Sequence, residues 1–167
     1  QIPAKAWEKL GRPIIGSKGY IGVASWSGSM FEYFMPHLFL PSYANSFSGE
    51  ALAFAANAQI ENRIKGFWGI SESGYYAFDL AMNYQYRANG VSRLALDPII
   101  GKEKVIAPYA SFLCLPIAEK AAVKNLERLY KYGAYGEHGF YEALDFTVSR
   151  VGFTPEIIKS YMSHHVG

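Results

Sequence analysis

Glu142 stands in Gly139-Phe140-Tyr141-Glu142-Ala143-Leu144-Asp145, between two aromatics and a small-residue pair, with Asp145 following in the same stretch. A carboxylate held against aromatic rings is desolvated, and desolvation favours the protonated form. Proton transfer near neutral pH needs an acid tuned in that way. Flat ring faces with polar rims also suit a sugar. The stretch reads as a sugar-processing carboxylate beside its stacking platform. The alternative is a helix start in which Glu142 caps backbone amides while Phe140 and Tyr141 are plain core.

Two further glutamates share this setting. Phe67-Trp68-Gly69-Ile70-Ser71-Glu72-Ser73-Gly74-Tyr75-Tyr76 surrounds Glu72 with glycines, aromatics and hydroxyls. Exposed aromatics in polar loops tend to meet a ligand. In Trp26-Ser27-Gly28-Ser29-Met30-Phe31-Glu32-Tyr33, Ser29 can cap a helix that carries Glu32 at its third position, as in a capping box. That role competes with a chemical one for Glu32.

The elements that must position these groups follow from the rest of the chain. Its 167 residues suffice for one domain with a real core. A net charge of +2 without a basic run gives no nucleic-acid footprint. The single cysteine, Cys114, has no internal disulfide partner, which favours a reducing compartment. Gln1-Ile2-Pro3-Ala4-Lys5 has no apolar core behind it and so does not read as a signal peptide. No apolar run approaches the roughly 20 residues of a membrane helix. The chain begins without methionine and reads as a piece of a longer protein.

Helices are expected over Ala4 to Leu10, from Ser29 to Pro36, over Ser48 to Lys65, over Tyr75 to Tyr86 with Asp79 on it, from Val105 to Pro116, over Ala118 to Tyr132, and from the Thr154-Pro155-Glu156 start onward. A short hairpin fits Ser17-Lys18-Gly19, and Arg87 to Glu103 reads as loop. Without a repeated strand–helix rhythm a parallel sheet is not expected. The expectation is an all-α fold with its acids at loop–helix junctions.

Five stretches together resemble the glucoamylase-like domain of cyclic β-1,2-glucan synthases. They are the Trp26–Tyr33 and Trp68–Ser73 stretches, Val105-Ile106-Ala107-Pro108-Tyr109, Phe140–Asp145, and Ser160-Tyr161-Met162-Ser163-His164-His165. The order is the family's, and nearly the whole chain is covered. The resemblance implies an (α/α)6 toroid. A complete toroid needs roughly twice this chain length, so a half-ring fragment is expected. It also implies transglycosylation, in which linear β-1,2-glucan is cut and closed into a ring. A related group of the same fold comprises endo-β-1,2-glucanases. A non-catalytic glucan-binding segment is the reading from another class.

On this resemblance the partners are a β-1,2-glucan chain and the remainder of a larger parent, a membrane-anchored synthase with this soluble segment on the cytoplasmic side. Glycosidic cleavage usually needs two carboxylates, and Glu142 with Glu72 is the expected pair, with Glu32 in reserve. Asp79, Asp145, His164 and His165 are candidate hydroxyl binders or tuners of the acids. Trp26, Trp68, Tyr75, Tyr76, Tyr109 and Tyr141 are candidate stacking surfaces, with core packing the alternative for each. No cofactor is implied. A metal is not expected, because adjacent His164 and His165 point to different faces of a helix.

Overall fold

The computed structural model describes residues 2–97 and 99–166. Gln1, Pro98, in the expected loop, and Gly167 lie outside them.

The all-α expectation is overturned. Helix accounts for 38% of residues and strand for 20%, in several small antiparallel sheets, so the chain is a mixed α/β fragment rather than an all-helical half-ring. The helices are α1 (Lys5–Glu8), α2 (Met30–Phe34), α3 (Phe47–Glu61), α4 (Tyr109–Tyr132), α5 (Val148–Val151) and α6 (Ser163–Val166). The strands are β1 (Ile14–Ser17), β2 (Tyr20–Val23), β3 (Ser73–Phe78), β4 (Tyr84–Arg87), β5 (Val105–Ile106), β6 (Tyr135–Gly136), β7 (Gly139–Phe140), β8 (Ala143–Asp145) and β9 (Glu156–Ile158).

Local chemistry decides several elements. Lys18 and Gly19 take positive φ (51° and 86°) in the two-residue turn between β1 and β2. Ser29 and Glu32 form the reciprocal capping box of α2. Ser46 caps α3 by accepting the amide of Gly49 at 3.1 Å. The two helices expected on either side of Pro116 run together as α4, with non-helical angles at Ala118 (φ −139°, ψ 54°). A proline inside a helix removes a backbone donor and clashes with the preceding turn, hence the kink.

Two expected helices are strands instead. Tyr75 to Tyr86 forms the β3–β4 hairpin with a bulge between Tyr75 and Phe78. Asp79 closes its turn by accepting the amides of Ala81 (2.8 Å) and Asn83 (2.9 Å). The hairpin is also tied to distant chain: the amide of Tyr76 donates to Asp145 Oδ2 at 3.0 Å. The segment after Thr154-Pro155 enters β9, which pairs with β8, and β8 pairs in turn with β5. The proline-led start is overridden by that three-stranded sheet.

One apolar cluster joins α2, α3, α4 and the loop after α3, with Met30, Phe54, Trp68, Leu129 and Leu144 among its members. Two buried amide side chains fix that loop. Gln59 on α3 donates to the carbonyl of Ile70 (2.7 Å) and accepts its amide (2.8 Å). Asn125 on α4 does the same for Trp68, at 2.8 and 3.2 Å. Unpaired buried backbone groups are costly. The two side chains therefore replace a strand partner and set where Ser71 and Glu72 emerge.

Candidate active site

Glu142 occupies the single residue gap after Tyr141 that leads into β8. Its amide donates to the carbonyl of Ser160 at 2.9 Å. The side chain turns into the molecule and is 1% exposed. Oε1 accepts the amide of Gly74 at 2.9 Å. A Cβ at Gly74 would stand 3.3 Å from Glu142 Cγ, so the close approach favours glycine there.

His165 supplies the other contact, from α6. Its Nδ1 lies 3.1 and 3.0 Å from the two oxygens of Glu142. Its ring stacks on Tyr109, with centroids 3.8 Å apart and planes 16° apart. Tyr109, at the start of α4, donates to Ser71 Oγ (2.7 Å) and to the carbonyl of Glu72 (3.0 Å). Burial, chiefly, pushes its phenol above the ordinary value, so it acts as a neutral donor. Ser71 Oγ also accepts the amide of Phe31 at 3.0 Å. A continuous chain of contacts thus runs from the start of α2 through Ser71, Tyr109 and His165 to Glu142.

Glu72 is half-buried on the same side. The hydroxyl of Tyr86, on β4, lies 3.4 Å from Glu72 Oε2 and 3.5 Å from His164 Nε2. Burial raises the Tyr86 phenol first, and the negative charges of Glu72 and Glu142 raise it further. Both carboxylates therefore act on one phenol.

Glu142 lines two clefts. One, of about 410 Å³, is walled by Phe112, Tyr135, Phe140, Tyr141 and His165. The other, of about 280 Å³, is walled by Met82, Tyr84, Tyr86 and Tyr161 among others. A buried carboxylate between two openings, beside an imidazole and within reach of a second carboxylate's field, can transfer a proton or attack a group spanning both.

The structure thus gathers Glu142, Glu72, His164, His165, Tyr109 and Tyr141. The remaining expected residues lie elsewhere. Glu32 is caged by serines: Oε2 accepts the hydroxyls of Ser25 (2.8 Å) and Ser27 (2.7 Å) and the amide of Ser29 (3.1 Å). Burial alone would raise its pKa, but these bonds outweigh burial and hold it below the usual carboxylate value. Asp145 is buried and accepts from Arg150 Nε (2.7 Å) and the amide of Thr147 (2.9 Å). There too the bonds outweigh burial and lower the pKa. Asp79 serves the hairpin turn. Trp68 is core, 1% exposed. Tyr75 lies under Arg150, whose guanidinium carbon is 4.6 Å from the ring centre, and Tyr76 packs edge-on against Phe78. Trp26 is exposed and faces a different groove. Tyr86, Ser71 and Gly74 were not singled out from sequence. Tyr84-Gln85-Tyr86-Arg87 carries the alternation of a strand, and reading it so would have put Tyr86 on the face shared with Tyr84.

No helix among the described residues is long and apolar enough to cross a membrane.

Three comparisons bear on identity. The Glycoamylase family model, described as "Putative glucoamylase", matches residues 2–167. The cyclic β-(1,2)-glucan synthase NdvB of Rhizobium meliloti is 41% identical over 172 residues, covering 99% of this chain and 6% of that protein. An exo β-1,2-glucooligosaccharide sophorohydrolase of Parabacteroides distasonis is 28% identical over 154 residues, covering 84% of this chain and 20% of that one. Among solved structures, an endo-β-1,2-glucanase from Chitinophaga pinensis, in complex with sophorotriose and glucose, superposes with a TM-score of 0.60 at 18% identity. It covers 92% of this chain and 39% of the other, and shows a shared fold. The chain spans only a small part of the curated relatives that it matches. With a family model matched over all but its first residue, the chain belongs to the Glycoamylase family.

Proposed function

We propose that this chain is the Glu142-bearing part of a glycosidase-type domain that processes β-1,2-glucan, cutting a linear chain and closing it into a ring. The observation that carries the reading is the placement of Glu142: buried, on His165, and open to a cleft on each side. A glycosidic bond laid across Glu142 puts one sugar in each cleft. The named activities of the three relatives all concern β-1,2-linked glucose. The 41% identity to a cyclising synthase, against 28% to a hydrolase, favours ring closure.

In this reading Glu142 acts as the carboxylate and Glu72 as the acid. Glu142 attacks the anomeric carbon, the glycosidic bond breaks, and its oxygen leaves with a proton from Glu72. A sugar 2-hydroxyl then displaces Glu142 from that carbon and returns its proton to Glu72, so the charges balance over the cycle. A carboxyl separation of about 5–5.5 Å suits this retaining route. Gly74 and His165 hold both oxygens of Glu142, which restricts the carboxylate to one orientation. The Tyr86 hydroxyl, which lines the smaller cleft, lies 3.4 Å from Glu72 Oε2 and ties Glu72 to the cleft wall. The chain works inside a longer parent, a membrane-anchored synthase with this part on the cytoplasmic side. The synthase relative, of which this chain spans 6%, supports the longer parent.

The test is product analysis with the intact protein and linear β-1,2-glucan. The wild type should release cyclic glucan, and Glu142→Gln should release none while keeping its fold. Short linear products from the wild type would replace ring closure by hydrolysis. Undiminished product from Glu142→Gln would remove Glu142 from the reaction.

A further inference from the structure

Trp26 takes no part in the clefts around Glu142. Its side chain stands out on the surface, 67% exposed, yet its backbone is pinned on both sides. The Trp26 carbonyl accepts the amides of Leu96 (3.2 Å) and Asp97 (3.1 Å), and the neighbouring Ser25 amide donates to the carbonyl of Leu94 (3.0 Å). Ser27, next in sequence, gives its amide and its hydroxyl to Glu32. Two glycines let the paired segments close. A Cβ at Gly28 would stand 2.5 Å from the Val91 carbonyl oxygen, and one at Gly90 would stand 1.8 Å from that of Ser27. The backbone that carries the indole is thus fixed, so no loop ordering is lost when a ligand covers it.

The indole walls an open groove of about 380 Å³, with Arg87, Asn89, Asp97 and Glu103 among its other walls. Arg87 and Glu103 pair with each other at 2.9 Å, so the groove presents hydrogen-bonding groups with much of their charge already balanced. Lys102 lines it too, opposite in sign to Asp97 and Glu103, so the groove carries both charges and favours neither an anion nor a cation. A neutral polyhydroxylated chain fits better. Its C–H faces lie on the indole, and its hydroxyls find the amide and the carboxylates. The groove is also tied to the candidate active site. Successive side chains of a strand point to opposite faces, and on β4 Tyr86 lines a cleft at Glu142 while Arg87 lines the groove.

We propose that the Trp26 groove is a second, non-catalytic glucan-binding site that holds a stretch of the β-1,2-glucan chain away from the bond being cut. The inference rests on the β-1,2-glucan reading given above. It supplies something that ring closure requires, since joining a chain to itself means holding two stretches of one molecule.

The test measures binding rather than turnover, by calorimetry with the intact protein carrying Glu142→Gln. The probes are long linear β-1,2-glucan and the trisaccharide sophorotriose, which the proposal assigns to the clefts at Glu142. Adding Trp26→Ala should weaken the long chain roughly tenfold and leave sophorotriose unchanged. Trp26→Phe, which keeps a smaller ring, should recover part of the loss. Unchanged long-chain affinity in Trp26→Ala would overturn the groove. So would an equal loss for sophorotriose, which would place Trp26 in the cleft itself. Trp26-dependent binding of β-1,3- or β-1,4-glucan without binding of β-1,2-glucan would overturn the ligand assigned to both sites. Turnover retained by Glu142→Gln would instead overturn the catalytic assignment alone.

Discussion

Glu32 and Glu142 are both glutamates in glycine- and aromatic-rich stretches, and both have more than one hydrogen-bond donor on their oxygens. The donors differ in kind. Those of Glu32 come from Ser25, Ser27 and Ser29, all within seven residues of it. They close a local cage and leave it as the end cap of α2. The donors of Glu142 are a glycine amide 68 residues away and an imidazole 23 residues away. The imidazole lies within 3.1 Å of both oxygens, and clefts open on either side. A carboxylate saturated by its own neighbours stabilises a helix end. One assembled from distant elements, with a titratable partner and open space, is arranged for chemistry.

Exchanging the two glutamates for glutamine should separate those roles most widely. In the intact protein, Glu142→Gln should lower turnover by about 10³-fold, within the range for a lost acid–base or nucleophilic group, with little change in melting temperature. Glu32→Gln should leave turnover within about tenfold but lose about 1–2 kcal/mol of stability, as for other lost caps, read by denaturant melts. The reverse pattern would break the distinction.

His165→Gln should come next. Without the imidazole that holds Glu142, kcat should fall about 10- to 100-fold with KM nearly constant. Its pH–rate profile should shift as well, which a merely structural loss would not cause. A change confined to KM would make His165 a substrate binder instead.

Asn125→Leu tests how the loop bearing Glu72 is held. Leucine leaves the Trp68 amide and carbonyl buried without partners, which should cost about 2–3 kcal/mol. Turnover should fall even at temperatures where the variant is folded, since Ser71 and Glu72 lose their fixed exit from the core. Native turnover in a destabilised but folded variant would show that Gln59 alone positions the loop.

The smallest effect concerns acid. The folded pKa of Glu32 lies below its unfolded value, which is near 4.3 for a free glutamate. A depressed carboxylate contributes stability above the unfolded pKa and loses it as pH falls through the folded pKa. The melting-temperature gap between wild type and Glu32→Gln should therefore be full above about pH 5 and narrow toward pH 3. A gap that widens on acidification would contradict the cage.

What could be read from sequence follows the same divide between local and distant partners. The capping box of α2 and the β1–β2 turn are each settled within a few residues, and each was legible. The β3–β4 hairpin and β9 were not. Tyr75–Tyr86 and the Thr154-Pro155 start carry plausible local helix signals, and their partners are remote: Tyr76 binds Asp145, and Glu156 pairs with that same residue. The site behaved likewise. Glu142, Glu72, His164 and His165 could be named from their motifs, and the structure brings them together. Trp68 and Trp26 looked equivalent in sequence. Partners far along the chain separate them: Asn125 fixes the backbone of Trp68, which is buried, and the Leu94–Asp97 loop fixes that of Trp26, which is exposed.

The central claim is that Glu142, and not Glu72, is the carboxylate that meets the anomeric carbon. Azide rescue tests it most directly. Glu142→Ala in the intact protein leaves a hole beside the scissile bond that a small anion can enter. Added azide should restore consumption of linear β-1,2-glucan and yield a glucosyl azide of inverted anomeric configuration, assigned by NMR. Glu142→Ala that consumes the glucan at the wild-type rate without azide would contradict the account. So would a glucosyl azide of retained configuration from Glu142→Ala, or one of inverted configuration from Glu72→Ala.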